Sequence, residues 1–399
     1  MQFFNLHRLR INRGELSGAF GDIGTDLPLI TGMILATGMN PSSVLVVFGL
    51  AQIASAIIYG IPMPVQPLKA VAALAIAGEV GASQVYGAGL GIGLTMFILV
   101  ATGWLERLRR VIPKAVIRGI QLGLGFKLAQ LALTRYIPAD GTAGIALAVV
   151  SGLLVLLLLR SRRCPPALPV MGLGLAYALV FKIDASIWHD SLGFSLPPLQ
   201  PVAMADILSG YLILALPQIP LSLGNSLFAT HQMANDLFPE RKLKLRTIGL
   251  SYSLYNMVIP FFGGIPVCHG SGGMAGHYLF GGRTGGSVLL YGLLLLVLGV
   301  LFGGGFEQVI QVFPLPVLGV ILLAESGMLM QFVRDVFPVR RDLFIAVLTA
   351  GASLLLPYGF LAGMVTGTLA AHMPRLLAWM RAGRQGTELA PRCAETMEP

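Results

Sequence analysis

Long apolar runs, separated by short polar or basic stretches, fill almost the whole chain. Most runs approach the roughly 20 residues that a helix needs to cross a bilayer, and about fourteen segments can be counted between residues 14 and 374. Two segments are different. Residues 61–68 form a proline-rich turn before an apolar run that is too short to span, and residues 264–273 read Gly-Ile-Pro-Val-Cys-His-Gly-Ser-Gly-Gly. Because irregular backbone cannot face lipid, the pattern predicts an all-α polytopic membrane protein with two half-helices, each preceded by a short extended segment.

Several landmarks recur at a nearly constant distance along the chain. Pro64-Val65 recurs as Pro266-Val267, 202 residues later, and Pro113 recurs as Pro314, 201 residues later. Seven segments per copy is an odd number, so the second copy would enter the membrane from the opposite face, which predicts 7+7 inverted repeats. We expect a cytoplasmic N-terminus at residues 1–13 and a first repeat at residues 14–183. An extracytoplasmic linker at residues 184–203, a second repeat at residues 204–374 and a cytoplasmic tail at residues 375–399 would follow.

Composition and charge agree with a membrane protein. The chain is 55% hydrophobic and 11% charged, whereas soluble domains are about 25% charged. The formal net charge of +9 comes from short basic clusters between the apolar runs, which is typical of cytoplasmic loops rather than of a nucleic-acid-binding face. If the chain has the fourteen predicted segments, these basic clusters lie on the same side of the membrane. We therefore expect a plasma membrane protein, in a bacterium an inner membrane protein, with lipid around it and both termini in the cytoplasm.

The paired interrupted segments indicate a transporter binding site. Two half-helix N-termini that face one another offer unpaired N–H groups and positive dipole ends, which suit a tetrahedral oxyanion. In the second half-helix, Gly270 and Gly272 allow the backbone to approach a ligand closely and Ser271 adds a hydroxyl donor.

The first half-helix supplies a full positive charge. Pro67 is predicted to open this helix, which would place Gln66 and Lys69 in its first turn. A lysine at this depth costs about 2.5–3.5 kcal/mol on insertion scales, so a functional role is expected. Lys69 could also be a structural counter-ion of Asp22 or Asp26, and the two roles can coexist.

Polar residues of the first span of each repeat complete the candidate site. Side chains that would contact the anion, or would only bond neighbouring helices, are those of Thr25, Gln218, Ser222 and Asn225. Asp22 and Asp26 lie on one helical face, and His269 could contact the anion or sense pH, so these three residues are candidates for carrying a coupling proton. No metal site or cofactor is indicated, because Cys268 and His269 alone are too few ligands.

Four motifs resemble the molybdate transporter branch of the sulfate permease superfamily: residues 21–25, 64–70, 217–226 and 266–273, the last together with residues 280–285. The resemblance covers residues 14–375. It implies the fold of uracil and sulfate permeases, with a core domain that holds the substrate and a gate domain against which the core moves. We expect the core at residues 14–106 and 204–303 and the gate at residues 107–183 and 304–374. The implied function is secondary active import of molybdate by alternating access, with the anion held between the two half-helix N-termini. The resemblance leaves open whether the protein forms a homodimer.

Other functions stay open at this point. A permease for sulfate or another anion would have a similar sequence pattern, because molybdate and sulfate are both tetrahedral dianions. Only the resemblance favours molybdate. A passive anion channel would need a continuous pore. A nucleobase permease would be expected to carry a carboxylate where Gln218 and Ser222 stand. An enzyme is not expected, because the chain contains no His-Glu-x-x-His motif and no phosphate-binding P-loop.

Overall fold

Helices and one short pair of strands make up the structure, a computed structural model that describes residues 9–78, 80–105, 107, 113–158, 167–182, 196–301, 313–356 and 359–373. The predicted tail, residues 375–399, and most of the predicted linker, residues 184–203, lie outside these ranges. The two strands are β1 (Val65–Pro67) and β2 (Val267–His269). In chain order the helices are α1 (Arg13–Ala19), α2 (Ile23–Thr37), α3 (Pro41–Tyr59), α4 (Lys69–Ala77), α5 (Ala82–Ala101), α6 (Lys114–Tyr136), α7 (Gly141–Leu158), α8 (Ala167–Phe181), α9 (Met204–Leu237), α10 (Leu245–Val258), α11 (Ser271–Leu279), α12 (Gly286–Leu301), α13 (Leu315–Val336), α14 (Arg340–Leu355) and α15 (Gly359–Met373).

Length and composition identify membrane-crossing helices among these elements. Within the described part of the chain, six helices are long and apolar enough to span, namely α3, α5, α6, α7, α9 and α13. Large apolar side chains such as Leu157 and Val180 are 80% and 72% exposed, as expected where lipid takes the place of water. These features are those of an integral membrane protein, while the count of fourteen segments stays a prediction.

The predicted half-helices are present as α4 and α11, each of which is nine residues long. The strands before them pair antiparallel with the register Val65↔His269 and Pro67↔Val267, so the two helices run away from the pair in opposite directions. The prediction that Pro67 opens the first half-helix is wrong. The Leu68 N–H donates to the Pro266 carbonyl at 3.0 Å, which extends the strand pairing and delays the start of α4 until Lys69.

Amide side chains close the outer edges of both strands. Gln52 on α3 donates to the Val65 carbonyl at 2.7 Å and accepts from the Val65 N–H at 2.8 Å. Asn256 on α10 makes the same two bonds to Val267 at 2.6 and 2.9 Å. These amides satisfy backbone groups that would otherwise be unpaired at membrane depth. The matching arrangement supports the predicted repeat, in which α3 corresponds to α10.

Helix packing separates the elements into two sets. Helix α3 packs along α12 and α5 packs along α10, around the strand pair and α4. Helix α6 packs against α13 and α14, and α13 also contacts α7. The first set lies within the ranges expected for a core domain and the second within those expected for a gate domain. The domain division and the inverted repeat both stay predictions.

Helix α9 is continuous through two prolines. Pro217 and Pro220 cannot donate backbone hydrogen bonds, and the turns on both sides, Tyr211–Ala215 and Ser222–Ala229, take up π-helical pairing. The helix is therefore locally widened on both sides of the two prolines, and it is buried at Pro217, Gln218 and Pro220.

Glu15 fixes the loop before α12. This carboxylate is 1% exposed and accepts from the N–H groups of Arg283, Thr284 and Ser287 at 3.0, 2.9 and 2.9 Å. A buried carboxylate that accepts three backbone N–H bonds next to a helix N-terminus is stabilised by those bonds and by the helix dipole.

We expect Glu15→Gln to lower the free energy of unfolding by about 2 kcal/mol, because a neutral amide accepts weaker bonds and places an N–H₂ group against other donors. Thermal unfolding in detergent measures the change. The matched control is Glu240→Gln at an exposed position, which should leave the melting temperature unchanged. Equal melting temperatures for both variants would contradict the structural role of Glu15.

Candidate functional site

A cavity of about 140 Å³ lies where the two half-helices begin. The starts of α4 and α11 and the middle of α9 form one wall, and α6 and α13 form the other. The lining residues are Gln66, Lys69, Arg118, Leu124, Gln218, Leu221, Asn225, Ser226, Ala229, Cys268, Gly270, Ser271, Gly272, Leu329 and Phe332. Seven of the ten predicted anion contacts line this cavity, and the other three, Thr25, Ser222 and His269, do not.

The half-helix N-termini meet at this cavity. Lys69 is the first residue of α4 and Ser271 the first of α11, and neither preceding residue caps its helix with a side chain. First-turn N–H groups of such helices have no intrahelical partners, and they carry the positive end of the helix dipole. Lys69 and Ser271 are half-buried in an otherwise tightly buried region, so both side chains can reach a ligand. The cavity is therefore positive on the side of the half-helices.

Three glycines near the start of α11 have different surroundings. A Cβ at Gly272 would meet no atom within 4 Å, so this position faces open space. A Cβ at Gly270 would lie 1.4 Å from Gln66 Oε1, and one at Gly273 would lie 2.1 Å from Asp22 Oδ2. Gly270 and Gly273 thus make room for neighbouring side chains, and Gly272 leaves room in the cavity itself.

Asp22 and Gln66 join α2 to the first strand. The Gln66 side-chain amide donates to both Asp22 carboxylate oxygens at 2.7 Å, and both residues are buried. Asp22 therefore orients a side chain that lines the cavity, from a position behind it. Asp26, one helical turn further along α2, is fully buried and is not among the described residues that line the cavity.

A chain of hydrogen bonds fixes Gln218. Its Oε1 accepts from the Ala70 N–H of α4 at 2.8 Å, and its Nε2 donates to Ser222 Oγ at 3.1 Å. Ser222 Oγ in turn is 2.7 Å from the Tyr252 hydroxyl. Gln218 therefore holds the start of α4 against α9, and Ser222 supports it from behind.

His269 points away from the cavity. Its Nε2 is 2.8 Å from Ser251 Oγ and its Nδ1 is 3.4 Å from the Pro64 carbonyl. The rings of Tyr59 and Tyr255 pack edge-on to it, with centroids 5.2 and 5.7 Å away. In this arrangement both ring nitrogens are engaged in holding the strand pair. The predicted contact of His269 with the anion, and that of Thr25 in the first turn of α2, stay predictions.

Sequence reasoning missed the wall formed by α6 and α13. Arg118 lines the cavity there; it donates to Gln121 at 2.9 Å, forms an ion pair with Asp335, and its guanidinium lies 5.0 Å from the Phe332 ring centroid. In the sequence Arg118 belongs to a cluster that had the pattern of a cytoplasmic loop. In the structure Arg118 is the fifth residue of α6, so it lies within the helix rather than in a loop.

Sequence comparisons connect the chain to known transporters. A family model described as "Molybdate transporter of MFS superfamily" matches residues 14–128 and 210–329. The chain is 32% identical to Molybdate transporter 1 of Arabidopsis thaliana, over 94% of this chain and 91% of that protein. It is 34% identical to Molybdate transporter 2 of the same plant, over 87% and 85%. It is 29% identical to Molybdate transporter 1 of Chlamydomonas reinhardtii, over 93% and 95%.

Two solved structures with a similar fold are those of anion transporters. The transmembrane domain of a cyanobacterium bicarbonate transporter, BicA, matches with a TM-score of 0.64 at 19% identity, over 93% of this chain and 100% of that chain. The murine Solute Carrier 26 family member A9 anion transporter, in the inward-facing state, matches with a TM-score of 0.67 at 14% identity, over 94% and 70%. These similarities confirm the fold class predicted from the sequence. Although the description of the family model names the MFS superfamily, whose members have two six-helix halves, the structural similarity lies with these transporters.

Proposed function

This chain belongs to the molybdate transporter family matched above, and we propose that it is a secondary active transporter that imports molybdate. Its relatives are transporters rather than enzymes, and anion transport is the activity that their names and the shared fold support. In the proposal the anion binds between the N-termini of α4 and α11. Lys69, Ser271 and the first-turn N–H groups bind it, and Gln66 and Gln218 position the two helices.

The observation that carries the proposal is the cavity in which both half-helices begin. It contains two cationic side chains, Lys69 and Arg118, and no carboxylate among the lining residues that the structure describes. Its volume of about 140 Å³ is well below the 300–1,000 Å³ of pockets for drug-sized ligands, so its ligand is small. The two cations favour an anion over a neutral nucleobase. Sulfate and tungstate share the shape and charge of molybdate and stay the main alternatives.

Alternating access would come from motion of the core, residues 14–106 and 204–303, against the gate, residues 107–183 and 304–374. The cavity lies between these two sets, so a shift of one set would carry the half-helices past α6 and α13. Under the predicted topology, the basic stretches at residues 241–246 and 340–341 mark the cytoplasmic side. The protein would then sit in a plasma membrane, in a bacterium the inner membrane, with both termini in the cytoplasm.

A competition experiment tests the proposed substrate. Purified protein in liposomes should take up radiolabelled molybdate, and excess unlabelled molybdate or tungstate should block this uptake. Sulfate should compete more weakly, and uracil should not compete at all. Uptake of uracil, or of sulfate in preference to molybdate, would overturn the substrate assignment. Current that grows without saturation would indicate a channel instead.

Coupling to protons gives a separate prediction for Asp22. If the anion enters with protons, we expect Asp22→Asn to suppress pH-driven accumulation more than molybdate binding, because the amide cannot release a proton. Binding should weaken only as far as Gln66 loses one of its two bonds to the Asp22 side chain. Uptake into liposomes under an imposed pH gradient measures the first effect, and equilibrium binding measures the second. Asp236→Asn, at an exposed position, is the control. Full pH-driven uptake by Asp22→Asn, Asp26→Asn and His269→Gln would contradict this coupling scheme.

A further inference from the structure

A second cavity lies between the same two sets of helices. It has a volume of about 340 Å³ and is walled by the end of α4, the start of α9, α6, the end of α14 and the start of α15. Among the described residues of this lining, Lys127 and Ser353 have polar side chains. The lining residues are Leu74, Lys127, Leu212, Ile213, Pro217, Ser353, Leu354, Leu356, Gly359 and Phe360.

Among the lining residues that the structure describes, Lys127 is the one that carries a charge. It is half-buried at the fourth turn of α6, within a span that runs from Lys114 to Tyr136. A lysine at such a depth is costly and is by default a functional residue. The alternative is a lysine that extends its charged group into the water at the membrane surface. Such a lysine would lie near the end of the helix, where Arg135 is exposed.

The two cavities follow one another along the same helices. On α6, Arg118 lines the first cavity and Lys127 the second, about 13 Å further along the axis at 1.5 Å per residue. On α9 the order is reversed, because Ile213 lines the second cavity and Asn225 the first. The antiparallel helices thus place the cavities at successive depths of one interface.

The second cavity lies at the ends of α9 and α14 that are farther from the basic stretches. The basic residues 241–246 follow the end of α9, whereas the second cavity contacts its start. Arg340 and Arg341 begin α14, whereas the second cavity contacts its end. Under the predicted topology, the second cavity is therefore on the extracytoplasmic side and the first on the cytoplasmic side.

We infer that the second cavity is the outer binding site for the oxyanion and that Lys127 is its anion-binding group. This inference rests on the proposed function and deepens it. Helix α6 then presents one cation to each side of the interface, Arg118 inward and Lys127 outward. The anion that enters from outside contacts Lys127 first, and motion of the core brings the half-helices, with Lys69, to the same ion. The other described side chains around this cavity are uncharged, so none of them competes with Lys127 for the ion.

Sided transport measurements test this assignment. Right-side-out and inside-out membrane vesicles that contain the protein are compared for initial rates of molybdate uptake at increasing concentration. Lys127→Gln should raise the apparent KM at least about tenfold in right-side-out vesicles and change it less than about twofold in inside-out vesicles. Lys127→Arg should restore most of the affinity. Arg135→Gln removes a charge from the exposed end of the same helix and is the matched control, with no expected change.

Two results would overturn the inference while leaving the proposed function intact. The first is that the wild-type protein transports molybdate and that Lys127→Gln has the same apparent KM as the wild type in right-side-out vesicles. The other is an equal loss in both orientations together with a lower melting temperature, which would assign Lys127 to an ion pair that holds the helices. If the wild-type protein moved no molybdate in either orientation, the proposed function would fail, and this inference with it.

Discussion

Replacing Lys69 with glutamine is expected to weaken molybdate binding at least about 100-fold, which corresponds to roughly 2.7 kcal/mol. Lys69 begins α4, is half-buried and lines the cavity in which both half-helices start. Two unit charges 4 Å apart attract by about 4 kcal/mol at an effective dielectric constant of 20, and molybdate carries two charges. Competition with water and the remaining N–H donors reduce the loss below that value.

Equilibrium binding of molybdate to purified protein measures this effect, and Lys69→Arg separates charge from shape. The arginine variant should recover more than half of the binding free energy, because it keeps the charge at the helix N-terminus. Lys244→Gln is the matched control, since it removes one exposed positive charge outside the cavity. If Lys69→Gln binds molybdate as tightly as wild type, Lys69 is a structural counter-ion of the α2 aspartates and the anion binds elsewhere.

The second large effect is expected at Gly276, where α11 crosses the junction of α1 and α2. A Cβ at Gly276 would lie 2.5 Å from the Gly21 carbonyl oxygen, and a Cβ at Gly21 would lie 2.4 Å from the Gly276 carbonyl carbon. Both neighbours are backbone atoms, so no side-chain rotation relieves the overlap. We expect Gly276→Ala to cost about 3 kcal/mol or more and to sharply lower the yield of folded protein.

Gly272 supplies the matched control on the same helix. A Cβ there meets nothing within 4 Å, so Gly272→Ala should keep or slightly raise the melting temperature, because alanine is the better helix former. Gly272→Leu should also fold, but its side chain would fill the cavity and weaken molybdate binding. Thermal unfolding in detergent and equilibrium binding measure the two effects. Similar melting temperatures for Gly276→Ala and Gly272→Ala would contradict the close crossing of α11 with the α1–α2 junction.

The sequence alone determined the class of protein, the two half-helices and most of the cavity wall that they form. These features follow from local chemistry. Glycine and proline break a membrane helix wherever they cluster, and Lys69 next to such a break marks a place where charge is tolerated. The two extended segments before the half-helices could be expected because the same Pro-Val signature begins both. Their pairing with each other could not.

Only the tertiary structure decided which polar residues line the cavity and which hold other side chains in place. Asp22 binds Gln66 across 44 residues, and His269 turns toward Ser251. Pro67 stays in a strand because a partner strand from the other half of the chain extends the pairing. Arg118 and Lys127 line cavities because α6 lies opposite the half-helices. Spacing along the chain reports which residues share a helix face, but not which distant helix that face meets, and the direction of each side chain depends on that meeting.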